Sequence, residues 1–194
     1  MNNFIIATKN KKKLIELERI LKPLGVDIVS ENDGFHLPDV IENGVTFMEN
    51  ARLKALSAMS AAGLPAIADD SGLCVDALDG RPGVFSARYG GEGLSDTERY
   101  LLLLEEMDGV INRKAHFACA ICVCYPDGRE ITAYGECHGK IALKAAGDGG
   151  FGYDPVFLID GRSFAKIPPE EKDKLSHRSK ALSELKEKLK NAYK

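Results

Sequence analysis

The chain of 194 residues carries 26 basic and 29 acidic side chains, a net charge of −3, with 44% hydrophobic and 28% charged residues. That length suits one domain with a sizeable core, and the composition is ordinary for a globular protein. The charge balance argues against a stable nucleic acid partner. No apolar run is long enough to span a bilayer, and no signal peptide precedes the first expected strand, so a cytoplasmic protein is expected.

In chain order, Phe4-Ile5-Ile6-Ala7 reads as a short buried strand. Thr8-Lys9-Asn10-Lys11-Lys12-Lys13 follows and leads into a helix with apolar positions Leu14, Leu17, Leu21 and Leu24. Thr8 or Asn10 can cap that helix. Unpaired backbone N–H groups and the positive end of the helix dipole then form a ready anion site. The lysines oppose the dipole, a local cost that a polyanionic guest would offset; a lysine-rich solvated turn is the alternative. The glycines of a Walker loop are missing. Val26–Val29 reads as a second strand.

Thr46 and Glu49 form a capping box that opens an alanine-rich helix running to about Ala62, with Gly63 as its stop. Glu42 lies upstream of the cap and is available as a ligand. Ala66-Ile67-Ala68 then reads as a buried strand ending in a turn at Asp69-Asp70-Ser71-Gly72. Successive strand residues face opposite ways, so the two carboxylates are expected to do different jobs: one to hold a hard cation, the other to brace the turn. An Asx-turn with two solvated carboxylates is the plainer reading.

Ser95 and Glu98 form a second capping box, opening a leucine-rich helix that ends near Gly109. Ala115–Cys124 and Arg129–Cys137 form a hairpin turned at Pro126-Asp127-Gly128. Five cysteines, an odd number in a chain of this size, fit a reducing compartment. Cys119, Cys122 and Cys124 lack a second Cys/His pair at metal-ligand spacing, so a packed strand is expected there rather than a metal site. His116 and His138 read as structural or surface residues.

Gly147–Pro155 is a glycine-rich locus holding Phe151, Gly152, Tyr153 and Asp154. Its glycines allow close backbone approach, and its rings offer stacking faces for a base; an ordinary loop into the strand Val156–Ile159 is the alternative. Lys172 lies just downstream. His177 and Arg178 open a last helix whose Leu182, Leu185 and Leu189 are core positions. A cationic pair at a helix start points to a ligand, or else to a surface pair.

Four blocks, ATKNKKK, ENGVTFMENARLKA, ADDSGLCVDALDGRPGVFSARYGG, and FGYDPVF with SHRSKAL, together resemble the inosine triphosphate pyrophosphatase family, the XTP/dITP diphosphatases. Lys9 stands where that pattern has glycine. The resemblance implies an α/β fold with an elongated mixed central sheet flanked by helices, as a single domain over 1–194. It also implies two lobes with a substrate cleft between them, and a homodimer. It implies Mg²⁺-dependent hydrolysis of ITP, dITP or XTP to the monophosphate and pyrophosphate. By motif, Thr8, Asn10, Lys13 and the loop amides of Lys9, Lys11 and Lys12 correspond to a triphosphate cradle. Asp70 corresponds to the general base and a metal-linked carboxylate, with Glu42 as a second magnesium partner and Ser71 touching substrate. Phe151, Gly152, Tyr153, Asp154, Lys172, His177 and Arg178 correspond to the nucleoside pocket. There, His177 and Arg178 are expected to donate to a 6-oxo group, while Asp69 is left unassigned between a support behind the ligands and a further ligand.

Three other readings draw on the same residues. One is a septum-inhibitor-type pyrophosphatase acting on modified pyrimidine nucleotides, which has no need of FGYD and SHR. Another is a nucleotide sensor without turnover, which has no need of Asp70 and Glu42 beside a phosphate loop. The last is a metal phosphomonoesterase, which would release inorganic phosphate.

Overall fold

The computed structural model describes residues 3–8, 10–22, 27–30 and 33–192, without the side chains of Lys12, Glu16, Ile20 and Ala192. Lys9, Leu24 and Val26 therefore lie outside the described residues. Seven strands, β1 (Asn3–Ile6), β2 (Asp27–Val29), β3 (Ala66–Val75), β4 (Lys114–Cys124), β5 (Glu130–Ile141), β6 (Phe157–Ile159) and β7 (Arg162–Ser163), form a sheet of order β2-β1-β3-β4-β5-β6-β7. Strand β1 pairs in parallel with β2 and β3, whereas β6 is antiparallel to β5 and β7, so the sheet is mixed. The helices are α1 (Lys11–Leu21), α2 (Phe47–Ala62), α3 (Asp96–Glu106), α4 (Pro169–Leu175) and α5 (His177–Ala192). No helix among the described residues is long and apolar enough to cross a membrane.

The chain divides into two compact units. The first holds residues 1–70, 119–135 and 178–194; the second holds 71–118 and 136–177. In the first unit, alternation along the strands sorts apolar residues to the two faces of the sheet. Phe4, Ile6, Ile67, Cys119, Ile121 and Val123 pack with Leu14, Leu17 and Leu21 of α1 and with Ala181, Leu182, Leu185 and Leu189 of α5. The opposite strand positions, Ala68, Ala120, Cys122 and Cys124, meet Ala51 and Ala55 of α2. Small side chains on both partners let that helix lie close to the sheet. In the second unit, Phe117 is the centre of an aromatic core, its ring 4.6 Å from that of Phe157 and stacked on His177 at 4.9 Å.

Both capping boxes form as the sequence requires: Thr46 with Glu49 at α2, and Ser95 with Glu98 at α3. Gly63 ends α2 at φ 66°, a left-handed conformation that suits a residue without Cβ. The hairpin forms too, with β5 extending to Ile141.

Two expectations are corrected. The Asp69-Asp70-Ser71-Gly72 stretch is not a turn, because β3 runs straight through it to Val75. Val156 is not in a strand: Asp154–Val156 is a single 3₁₀ turn with Pro155 at its second position, and β6 starts at Phe157. Proline lacks the N–H a ladder needs, which holds the strand off. Helix α4, ahead of the last helix, has no periodic apolar signature in its seven residues.

Thr46 accepts from the Glu49 amide at 3.2 Å, one of the four N-terminal donors of α2 that lack a partner within the helix. Thr46→Ala should cost about 0.5–2 kcal/mol in chemical denaturation, with Thr46→Ser largely restoring it. Equal losses in the two variants would mean the hydroxyl is not what holds the helix start.

Candidate active site

Strand β3 carries Asp69 and Asp70 into the interior, 2% and 6% exposed. Ionised carboxylates there require cations and donors, and the chain supplies different ones to each. Asp69 shares a face with the core of α1 and α5. Lys13 of α1 places Nζ 3.1 Å from Asp69 Oδ2, and Arg178 of α5 donates Nε and Nη2 to the same oxygen at 3.3 and 3.2 Å. Burial pushes the Asp69 carboxyl up, but Lys13, Arg178 and then Lys54 outweigh it and hold it well below the usual carboxylate range.

Asp70 points to the side of α2. Asn50 Nδ2 donates to its Oδ2 at 3.2 Å and Lys54 Nζ to its Oδ1 at 3.1 Å. Asn50 and Lys54 are i and i+4 on one helix face, so one turn of α2 delivers both. Lys54 Nζ also lies 3.3 Å from Glu42 Oε2, so two carboxylates converge on one ammonium. Asn50 Oδ1 in turn accepts from the Gly44 amide at 2.8 Å, which ties the segment carrying Glu42 to the helix. Gly44 is fitted to that contact: a Cβ there would sit 2.7 Å from Asn50 Oδ1. Burial and then Glu42 push the Asp70 carboxyl up, with Lys54 and Lys13 opposing. Burial works against the charge on Lys54, yet Asp70, Asp69 and Glu42 keep it a firm cation.

At the start of α1, Thr8 Oγ1 accepts from the Asn10 amide at 3.2 Å and Asn10 Oδ1 accepts from the Lys13 amide at 3.2 Å. Asn10 is therefore the cap, and the first turn contains no acidic residue. Lys11 is exposed, while Lys13 turns inward to Asp69. Thr8, Asn10, Lys13, Glu42 and Asp70 thus belong to one unit. Ser71, half-buried, follows Asp70 in β3 as the first residue of the other.

In the second unit, Asp154 Oδ2 accepts from the Phe151 amide at 2.9 Å and from Lys172 Nζ at 2.6 Å, which locks the glycine-rich loop. Lys172 also lies over the Phe151 ring, 5.4 Å from its centroid. The Gly152 amide donates to Asp96 at 2.9 Å. Phe151 is half-buried, but Tyr153 is 5% exposed within the core and donates to the Ser86 carbonyl at 2.9 Å. His177 is buried against Phe117. The geometry revises the sequence expectation for two side chains: the Tyr153 ring is core rather than a stacking face, and the Arg178 guanidinium is taken up by Asp69.

Lys54 and Asn50 were missed by sequence reading. Their signal was polar residues at i and i+4 beside the buried alanine stripe, a pattern that reads equally well as a helix edge.

A model of the Ham1 family matches residues 4–188. This chain belongs to the Ham1 family. It is 48% identical over 193 residues to a dITP/XTP pyrophosphatase of Geobacter sulfurreducens, covering 97% of both chains. It is 47% identical to one of Streptomyces coelicolor, covering 95% of this chain and 96% of the relative. A HAM1 protein from Coxiella burnetii has the same fold, with a TM-score of 0.91 at 38% identity over 98% of this chain and all of that one. A nucleoside-triphosphatase / dITP/XTP pyrophosphatase from Mycobacterium abscessus matches with a TM-score of 0.78 at 42% identity, covering 94% of this chain and 97% of that one.

The Arg178–Asp69 contact makes a definite forecast. Arg178 is one of two cations on this Asp69 oxygen, so its removal, with Lys13 still in place, costs less than the roughly 3–5 kcal/mol of a stranded buried charge, at about 1–3 kcal/mol. Arg178→Met should destabilise the chain by that amount in denaturant titration, and adding Asp69→Asn should recover part of the loss. A stability change under about 0.5 kcal/mol in the single variant would show that the pair is not structural.

Proposed function

We propose that this Ham1-family chain is a dITP/XTP pyrophosphatase, hydrolysing ITP, dITP and XTP to the nucleoside monophosphate and pyrophosphate. The full-length likeness to relatives bearing that name supports the reading, and one observation carries it to residues: Glu42 and Asp70 converge on a single cation next to a lysine-rich helix start. We further propose that residues 1–194 work as one catalytic domain in a cytoplasmic homodimer.

Lys13, Lys54 and Arg178 already match Glu42, Asp69 and Asp70 one for one in charge. An incoming triphosphate therefore needs further positive charge, which Lys11, Lys12, the loop amides near Thr8 and Asn10, and a divalent ion can supply. Two carboxylates meeting at one point, with oxygen donors only, suit Mg²⁺, which takes one or two carboxylates along with phosphate oxygens and water. When bound by Glu42 and Asp70, Mg²⁺ would offset phosphate charge and favour ionisation of a nearby water.

Asp70 acts as the general base in this reading. Its buried position raises its affinity for a proton while Lys54 favours the ionised form, and Asn50 fixes the carboxylate's orientation. Asp70 accepts the proton of a water whose oxygen attacks the α-phosphorus. The bond from that phosphorus to the α–β bridging oxygen breaks, and pyrophosphate leaves. Lys13 assists the phosphates while remaining tied to Asp69. Lys9 belongs to the same cradle by motif.

For the nucleoside, Phe151 supplies the stacking face and Lys172 with Asp154 holds its loop; the Gly152 backbone and Ser71 lie against the substrate. We assign Tyr153 to positioning the loop. His177 and Arg178 act through backbone groups at the start of α5, and Arg178 acts also by holding Asp69. Donors in that region pair with the 6-oxo group of hypoxanthine or xanthine, whereas the amino group of adenine leaves them unpaired, at about 1–3 kcal/mol per group.

Incubation of ITP with Mg²⁺ in water enriched in ¹⁸O tests the reaction. The expected first products are inosine monophosphate and pyrophosphate in equal amounts, with the label in the monophosphate. Orthophosphate with the diphosphate would contradict the cleavage site, and label in pyrophosphate would contradict attack at the α-phosphorus.

A further inference from the structure

The hairpin of β4 and β5 assembles three donors that the nucleotide site does not use. Cys122 and Cys124 alternate along β4 and share a face, with their Sγ atoms 3.7 Å apart. Glu130, the first residue of β5, returns to meet them, so that the two sulfurs and a carboxylate oxygen all lie within 4.8 Å of one another. The cysteines are 0% and 2% exposed and pack with Ala51 and Ala55 of α2. From that helix Arg52 donates Nε and Nη2 to Glu130 at 2.9 and 2.6 Å.

We propose that Cys122, Cys124 and Glu130 form a binding site for a thiophilic divalent cation of the zinc class, with Arg52 as its charge-balancing neighbour. A tetrahedral ion with metal–sulfur bonds of about 2.3 Å spans about 3.8 Å between two sulfurs, close to the separation already present. Two thiolates and a carboxylate carry three negative charges. A divalent ion neutralises two and the Arg52 guanidinium the third, so the buried thiolates with the exposed Glu130 and Arg52 at their edge are neutral overall. Glu130 has two oxygens, and one can reach the ion while the other keeps Arg52. Three protein donors leave a fourth position for water.

The donor set also separates this site from Glu42 and Asp70. Sulfur ligands select zinc-like ions, whereas an oxygen-only pair selects Mg²⁺. Sequence spacing hides the site because the third donor is a glutamate six residues past Cys124, beyond a tight turn, and no Cys/His pair marks it. Binding balances as two thiols plus one divalent ion giving a bis-thiolate complex plus two protons. An ordinary thiol is protonated at neutral pH, so those protons are present before the ion arrives.

The test uses the full chain, reduced and chelator-treated, titrated with Cd²⁺ in excess Mg²⁺. Thiolate-to-metal charge-transfer absorption and proton release are both read. One equivalent of Cd²⁺ should give the band and release two protons, and Zn²⁺ should compete. Cys122→Ser and Cys124→Ser should each abolish the band, Glu130→Gln should weaken binding about tenfold or more, and Cys74→Ser should change nothing. If the serine variants fail to fold, the rate of thiol labelling in the wild type, which requires opening of the buried strand, still decides: Zn²⁺ should slow it at two of the four buried cysteines. The proposal is overturned by no band, by a band surviving either serine change, by unchanged binding in Glu130→Gln, or by no protection. A Cys122–Cys124 disulfide in freshly purified protein would overturn it as well.

Discussion

Burying two adjacent carboxylates in the middle of a strand is the constraint on which the first unit depends. An unpaired buried carboxylate costs several kcal/mol, so β3 can pass through Asp69 and Asp70 only if cations reach both faces of the sheet. Three helices meet that requirement: α1 with Lys13 and α5 with Arg178 on the Asp69 side, and α2 with Asn50 and Lys54 on the Asp70 side. The same helices pack their apolar faces on the same strands, so the electrostatics and the core specify one arrangement.

That arrangement divides the work between two residues of identical chemistry. Asp69 is held strongly ionised by two cations and cannot usefully take a proton near neutral pH, which suits a structural anchor. Asp70 shares Lys54 with Glu42 and is pushed toward the protonated form, which suits a group that accepts one proton per turnover. The period of two along the strand is what allows neighbouring residues to live in such different surroundings.

Much of this was legible in the sequence wherever the signal is local. Capping boxes, a helix-stopping glycine and a turn-linked hairpin each follow from a few neighbouring residues, and all formed. The likeness of four blocks to the pyrophosphatase family was legible for the same reason, being carried by short contiguous runs. What was hidden came from distant partners. The stretch around Asp69 reads as a turn because nothing nearby neutralises it; Arg178, which does, lies 109 residues away. Tyr153 reads as an available ring until the Ser86 carbonyl, 67 residues off, is seen to receive its hydroxyl. The cysteine pair reads as plain core until Glu130 and Arg52 are brought beside it.

The division between the two carboxylates is tested most directly by comparing Asp69→Asn and Asp70→Asn side by side, measuring unfolding free energy and kcat on ITP for each. Asp70→Asn should stay folded at near wild-type stability and lose about 10²–10⁴-fold in kcat, the worth of a general base. Asp69→Asn should lose stability, with its folded fraction keeping kcat within about tenfold. The opposite pattern, a tenfold or smaller loss at Asp70 and a collapse of turnover at Asp69 in stably folded protein, would contradict the assignment of the two roles.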